Sequence, residues 1–371
     1  MRDCFNGGKS VSMGTRQVQN KFDKVKSIRR NAMIKKMYAL ITTVVCTLLV
    51  SPVFAGTLEN VKSKDVLTLG VSEGVTGFSA PNDQGVWAGF DVDMGRAVAA
   101  AVLADPDKIK FVSLASKQKI VAVSSGQVDI TSRTTTWTMK RDAKQGVDFT
   151  VPVFYDGQGF MTTKASGLTS AKQLDGASVC VTSGTTSELN VADFARANSI
   201  TLETVVFEGK KEAFHAYTTS RCDAFTTDMS QIASLRTTTK NPADHVILPE
   251  IFSKEPLSPL VKHGDNQWKD LVTWVLYGLI EAEEKGITQA NVLEVKKSSK
   301  DPVVLRMLGV SGDVGSFINL DNDWLVRAIQ AVGNYGEIYE RHFGPKTKLN
   351  IPRGLNNLWT NGGLLYAMPI R

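Results

Sequence analysis

The sequence predicts an α/β fold with largely parallel sheets. Three observations carry this: short apolar runs of strand type alternate with amphipathic helical runs along residues 66–339; hydroxyl-rich loops recur where strands end; and two proline- or glycine-marked segments interrupt the alternation.

The chain has 371 residues, 42% hydrophobic and 22% charged, ordinary for a globular protein. Its net charge of +6 is unevenly placed. Residues 1–56 hold ten Lys/Arg against two Asp/Glu, so the remaining chain holds 33 basic and 35 acidic side chains. A near-neutral body leaves no basic footprint for nucleic acid.

Residues 1–55 read as a signal peptide with a long n-region. Ala39 to Val50 is an uncharged, mostly apolar run of 12 residues behind Arg29, Arg30, Lys35 and Lys36, and Val53-Phe54-Ala55 offers a cleavage site before Gly56. The run is short for a membrane span, and Met33 would start a signal of ordinary length. Val45 before Cys46 argues against lipoprotein processing. Such a signal directs export to an oxidising compartment. Cys4 and Cys46 leave with the signal, and the two remaining cysteines, Cys180 and Cys222, are expected to pair in that oxidising compartment.

Along the body, Val66 to Val71 is a first strand, followed by the loop Ser72-Glu73-Gly74-Val75. Gly89-Phe90-Asp91 leads into a helix over Val92 to Leu103, with Asp91 as its expected cap. Ile109 to Leu114 and Gln127 to Ile130 are further strands. The second ends in Thr131-Ser132-Arg133-Thr134-Thr135-Thr136-Trp137-Thr138, where five threonines and one serine crowd one strand end. A helix capped near Thr138 puts Arg141 in its first turn, where a cation opposes the helix dipole unless an anion lies between. Its planar fork suits a carboxylate. Tyr155-Asp156-Gly157-Gln158-Gly159 reads as a first crossing between lobes.

The plan then repeats. Ala177 to Val181 is a strand, and Thr182-Ser183-Gly184-Thr185-Thr186-Ser187-Glu188 leads into a helix with capping-box spacing between Thr185 and Glu188. Thr201 to Phe207 and Asp223 to Thr227 are strands, the latter ending on Asp228. Leu248 to Pro259, with three prolines, reads as a return crossing. Trp268, Leu271, Val272, Val275, Leu276 and Leu279 stripe one helix that stops at Gly286. Trp324, Ala328, Val332, Tyr335 and Tyr339 stripe a further one, and both stripes are core. The expected division is 56–157 for the first part of lobe 1, 158–254 for lobe 2, and 255–371 for the rest of lobe 1 with a C-terminal extension.

In open α/β sheets, ligands sit outside the carboxyl ends of strands. The strand ends at 131–138, 182–188 and 226–228, with the helix start that carries Arg141, are read as offering one ligand-binding cation (Arg141), hydroxyls, amides and one ligand-binding carboxylate (Asp228). A cation with amides suits a carboxylate and an anion with hydroxyls suits an ammonium, which together describe an α-amino-acid zwitterion.

The stretches Gly89-Phe90-Asp91-Val92-Asp93, Thr134 to Thr138, Tyr155 to Phe160, Ser183 to Thr186, Arg221-Cys222-Asp223 and Gly333-Asn334-Tyr335-Gly336-Glu337 occur in the order found in periplasmic solute-binding proteins of polar amino-acid ABC importers (family 3), which residues 57–371 resemble. The resemblance implies a two-lobed, type II, Venus-flytrap fold with two interlobe crossings. It implies an L-amino acid as ligand, an inner-membrane ABC permease as partner, and a monomer. By the same resemblance, Arg141 with the backbone at Thr136 and Thr186 holds the ligand α-carboxylate. Asp228, the Thr134 carbonyl and the Thr136 hydroxyl hold the α-ammonium, while Ser116, Lys119, Thr182 and Thr185 line the side-chain pocket. Lys119 stands where close relatives carry arginine, and so lacks the bidentate fork. Val75 stands where binders of basic amino acids carry a stacking tyrosine.

The competing reading is a periplasmic enzyme on the same fold, such as a cyclohexadienyl dehydratase, because fold does not dictate function. Such an enzyme needs a cleft acid or base. His215, His245, His263 and His342 all lie outside the polar loops, and Glu73 is the one candidate acid. No catalytic residue, metal ligand or cofactor is expected.

Overall fold

The computed structural model describes residues 21–22, 24–37, 56–82 and 84–371. The chain divides into two units, Met1–Ala55 and Gly56–Arg371. In the first, residues 24–37 form helix α1 with exposed side chains. The apolar run 39–50, the cleavage motif Val53-Phe54-Ala55, Cys4 and Cys46 lie outside the described residues.

The second unit opens with α2 (Thr57–Lys64) and β1 (Leu67–Val71), followed by the short hairpin β2 (Ala80–Pro81) and β3 (Trp87–Ala88). Helix α3 (Phe90–Leu103) follows. Its cap is Gly89, not the expected Asp91. Gly89 sits at φ 136°, and a Cβ there would lie 2.2 Å from the Phe78 carbonyl oxygen, so only glycine fits. Asp91 is instead the second helical residue, and its carboxylate accepts a hydrogen bond from Ser132 Oγ at 2.8 Å, tying α3 to the threonine-rich loop.

β4 (Ile109–Ser113), α4 (Lys119–Ser124), β5 (Ile130–Thr131), α5 (Met139–Lys144) and β6 (Val147–Phe149) complete the first pass through lobe 1. The chain crosses on β7 (Phe154–Asp156) and enters lobe 2 on β8 (Gln158–Thr163). There follow β9 (Ser178–Thr182), α6 (Thr186–Asn198), β10 (Glu203–Phe207), α7 (Lys210–Thr218), β11 (Ala224–Asp228), α8 (Met229–Arg236) and β12 (His245–Ile247). The return crossing is β13 (Glu255–Leu257), antiparallel to β7, and β14 (Leu260–Lys262) re-enters the first sheet.

The sheet orders are β4-β1-β5-β14-β6 and β10-β9-β11-β8-β12. In each, one strand runs against the rest: β14 in lobe 1 and β8 in lobe 2. Both are the strands that bring the chain in from the other lobe, so they enter at the cleft end, where the parallel strands finish.

The C-terminal part packs α9 (Asn266–Glu284), α10 (Val292–Ser298), α11 (Pro302–Met307), α12 (Trp324–Val332) and α13 (Tyr335–Phe343) on lobe 1. The stripe from Trp324 to Tyr339, expected to be one helix, is two. Gly333 turns the chain at φ 84°, and Asn334 caps α13 in a capping box with Glu337. Trp324 and Tyr339 both remain buried in the core. That core centres on Phe78, Phe90, Phe154, Tyr335, Tyr339 and Phe343, whose rings meet at 4.8–6.4 Å. Lobe 2 has two smaller cores, on the two sides of its sheet. The Cys180–Cys222 disulfide is present there, with a Cα separation of 5.7 Å.

Candidate functional site

The threonine loop after β5 is held from both ends. Trp137 stacks on Phe149 with ring centroids 5.2 Å apart and planes 7° from parallel. Its backbone N–H donates to the Pro256 carbonyl on β13, and Ser258 N–H donates to the Thr135 carbonyl. The loop is thus fastened to the return crossing. Thr134 adopts φ 43°, uncommon for a residue with a Cβ, and its buried hydroxyl has no partner.

Thr138 caps α5 by accepting from Arg141 N–H, which sets the Arg141 side chain inward. One guanidinium nitrogen donates to the Thr136 carbonyl at 2.9 Å, leaving the rest of the fork for another acceptor. On the facing lobe, Thr185 caps α6, and its hydroxyl also donates to the Thr182 carbonyl at 2.7 Å. The capping box read at Thr185 and Glu188 is shifted: the Glu188 carboxylate takes the N–H of Gly184 rather than that of the cap residue.

These elements enclose a small cleft of about 20 Å³ between the lobes. Ser116, Lys119, Thr134, Thr136 and Arg141 line it from lobe 1, and Thr185, Thr186 and Asp228 from lobe 2. Among the residues read from the sequence, Thr182 is not on the lining. It lies behind the Thr185 turn, with its hydroxyl buried and unpartnered. The Thr136 hydroxyl donates to Glu255 in a short hydrogen bond rather than facing open space.

The lining adds Arg133, Ser187, Lys210, Thr227 and Gln231. The three polar loops suggested one cation, whereas the cleft gathers Lys119, Arg133, Arg141 and Lys210. Arg133 is locked in place: its Nε donates to the Leu114 carbonyl at 2.6 Å and a terminal nitrogen to Ser116 Oγ at 3.2 Å. Arg133 thus brings a guanidinium to the same lining as Lys119. The signal for Arg133 was its place two residues past a strand end. Lys210 opens α7 three residues past the end of β10, behind Gly209.

The electrostatics follow from burial. Lys119 is held well below the usual lysine range, first by desolvation and then by repulsion from Arg141, Arg133 and Lys210. Desolvation, with Arg133 repelling it, brings Lys210 down to about 8. Arg133 falls to about 10 through burial. Asp228 rises to about 8, chiefly through desolvation, with Asp156 and Glu255 adding repulsion against the pull of Lys210 and Lys119. Gln231 Nε2 donates to its carboxylate. Asp91, beneath the loop, rises to about 6 by burial. Among the described residues, no group of His, Cys, Asp and Glu could hold a metal ion.

The model for bacterial extracellular solute-binding proteins, family 3, matches residues 67–345, taking in both sheets, both crossings and every residue of the cleft. The chain belongs to this family. Among its relatives, a protein of Rhodobacter capsulatus named glutamate/glutamine/aspartate/asparagine-binding protein is 50% identical over 317 residues, 85% of this chain and 94% of that protein. The general L-amino acid-binding periplasmic protein of Rhizobium johnstonii is 50% identical over 339 residues, 91% of this chain and 99% of that one. A solved structure described as an ABC transporter / periplasmic binding protein from Brucella ovis with glutathione bound is 51% identical. Its TM-score is 0.84, over 85% of this chain and all of that one. Like other family 3 solute-binding proteins, this one has two lobes joined by two crossing strands, with its polar cleft between them.

Proposed function

We propose that the protein is a periplasmic receptor that captures L-amino acids between its lobes and delivers them, as a monomer, to an inner-membrane ABC permease. The carrying observation is that Arg141 and Asp228 line one cleft built from both lobes. Arg141 and the backbone amides at Thr136 and Thr186 hold the α-carboxylate. Asp228, with the Thr134 carbonyl and Thr136 hydroxyl, holds the α-ammonium. Ser116, Lys119 and Arg133 face the side chain, with Thr185 beside it. Four cations against one lining carboxylate favour acidic ligands, and the hydroxyls and Gln231 accommodate amides and smaller side chains. The names of the Rhodobacter and Rhizobium relatives support both parts of that reading.

The hinge divides the chain at 157/158 and 254/255, and the motion is closure of lobe 2 onto lobe 1. Export removes residues 1–55, so the amino terminus of secreted protein should read from Gly56. The relatives are named as binding proteins, one of them of an amino-acid ABC transporter, rather than as enzymes. A thermal-shift panel of the twenty L-amino acids tests the proposal, because a ligand that binds only the native state raises its melting temperature. Stabilisation by glutamate, glutamine and aspartate is expected. No shift with any amino acid, or turnover of a candidate substrate, would overturn it.

A further inference from the structure

The cleft that holds Arg141 and Asp228 does not stand alone. Arg133 and Lys210 line it, and they also line a second cavity of about 270 Å³. This side chamber is again made by both lobes. Ser72, Glu73, Gly74 and Val75 come from the loop after β1, Gly209, Lys210, Lys211 and Glu212 from the start of α7, and Leu235 from α8. Gly74, at φ 106°, brings backbone close to the Lys211 ammonium: a Cβ there would lie 3.3 Å from Nζ. The chamber therefore carries two carboxylates, Glu73 and Glu212, facing the cations Lys210, Lys211 and Arg133.

Size and charge assign the two spaces different work. The inner cleft, at about 20 Å³, has room for little more than a water, which needs ~10–15 Å³ on this measure. In this closed form it marks only where the clamp's polar groups converge, and the zwitterionic end of a ligand takes that place once the lobes have parted. The chamber is more than ten times larger and bears both signs of charge. A side chain that leaves the zwitterion clamp toward Ser116 and Arg133 reaches the boundary between the two spaces. Arg133 is fixed there by the Leu114 carbonyl and Ser116, whereas Lys210 sits on the other lobe.

We propose that this chamber is a second subsite, which admits amino acids whose side chain carries an amide-linked extension ending in a carboxylate, of which γ-glutamyl dipeptides are the simplest. This deepens the proposed function and rests on the Arg141–Asp228 clamp. The linkage is dictated by that clamp. A γ-linked peptide keeps its α-carboxylate and α-ammonium free on one carbon, as the clamp requires. An α-linked peptide has converted that carboxylate to an amide. Past the boundary, the amide N–H meets the Glu73 carboxylate, and the terminal carboxylate meets Lys211, with Lys210 beside it. Glu73, the one candidate catalytic acid read from the sequence, thereby has a binding task.

The test is calorimetry on the purified protein with L-glutamine, γ-L-glutamylglycine and α-L-glutamylglycine. Glutamine and the γ-linked peptide should both bind, and the α-linked peptide at least about 100-fold more weakly, since it leaves Arg141 without its partner. Lys211→Glu, an exposed position, should weaken γ-L-glutamylglycine about 10-fold or more while leaving glutamine within about twofold. Glu73→Gln should weaken the γ-linked peptide alone, by a smaller factor. Glutamine binding without any γ-L-glutamylglycine binding would overturn the chamber and leave the clamp standing. So would equal effects of Lys211→Glu on both ligands. If glutamine fails to bind the unaltered protein, the clamp itself is wrong and the chamber falls with it.

Discussion

Arg141 reaches the cleft with one nitrogen already committed to the Thr136 carbonyl, so it meets a ligand pre-oriented. Arg141→Ala would leave a buried ligand carboxylate unpaired, costing ~3–5 kcal/mol. That is roughly a 150- to 5,000-fold loss of affinity, expected to be similar for alanine, glutamine and glutamate. Lys119→Ala should weaken glutamate selectively and spare alanine. Calorimetry on both variants separates the roles. Asp228 gives a pH signature. Burial, then repulsion from Asp156 and Glu255, raises it to about 8 in the empty cleft, so the unliganded carboxyl keeps its proton through neutral pH. A ligand ammonium favours the ionised form, so binding releases a proton and affinity for alanine should rise with pH, levelling above about 8. Titrations in buffers of different ionisation enthalpy read the proton directly, and Asp228→Asn should abolish both effects. That Arg141 and Asp228 line one cleft was legible from strand ends and a helix start. Arg133 and Lys210 were not, although Arg133 lies inside the threonine loop. Whether a basic residue past a strand end turns inward depends on its anchors. Those of Arg133 are the Leu114 carbonyl and Ser116, 19 and 17 residues away.

At the scale of elements, the Cys180–Cys222 bridge joins β9 to the turn before β11, closing a sequence separation of 42 residues. Chain-entropy reasoning gives about 4 kcal/mol for a loop of that length. Replacing both cysteines with serine should lower the melting temperature by on the order of 10 °C, with the amino-acid specificity unchanged. The C-terminal extension has a comparable place at the crossing. Asn356 accepts from the Tyr155 N–H at 2.6 Å and donates to the Tyr155 carbonyl at 3.1 Å, so it grips crossing strand β7 as a paired strand would. Nearby, Arg353 pairs with Glu283 and lies over the rings of Tyr335 and Tyr339. Asn356→Ala strips both backbone groups of their partner, which should cost ~1–3 kcal/mol of stability, read by denaturant unfolding. The crossing strands were legible because prolines and glycines break the strand–helix rhythm there. The split of one expected helix into α12 and α13 was not, since the apolar stripe runs on through Gly333 in nearly helical register. Asp91 misled for a related reason: a carboxylate at a helix start is usually a cap, but here the close approach of Gly89 to Phe78 moved the start forward and turned Asp91 toward Ser132.

For the whole molecule, the two-lobed plan was visible as one strand–loop–helix pattern written twice, with a crossing after each copy. How the lobes face each other was not, because the faces are made by segments far apart in sequence, such as 72–75 and 209–212. In this structure they are closed. Lys117 Nζ meets Glu208 at 2.8 Å, Ser234 donates to the Thr76 carbonyl at 2.8 Å, and the Thr136 and Thr186 hydroxyls lie 3.4 Å apart. At the centre, the Glu255 carboxylate on β13 accepts from Thr136 of lobe 1 and from Thr186 and Asn190 of lobe 2. The outer Lys117–Glu208 pair is solvent-exposed and worth ~0–1 kcal/mol, so it cannot hold the lobes together. Glu255 is better placed, since its partners are the buried Thr136 hydroxyl and the half-buried Thr186 hydroxyl and Asn190 amide, which would otherwise lose their acceptor. Yet this cleft, at about 20 Å³, leaves no space for an amino acid, so on the proposed function ligand enters an open form that then closes. Small-angle scattering should therefore show a smaller radius of gyration with saturating glutamate than without. Glu255→Gln keeps the shape but removes the charge, weakening the hydrogen bonds it accepts from both lobes. It should enlarge the ligand-free radius while ligand still compacts the protein. An unchanged radius at demonstrated saturation would argue against closure as the state presented to the permease.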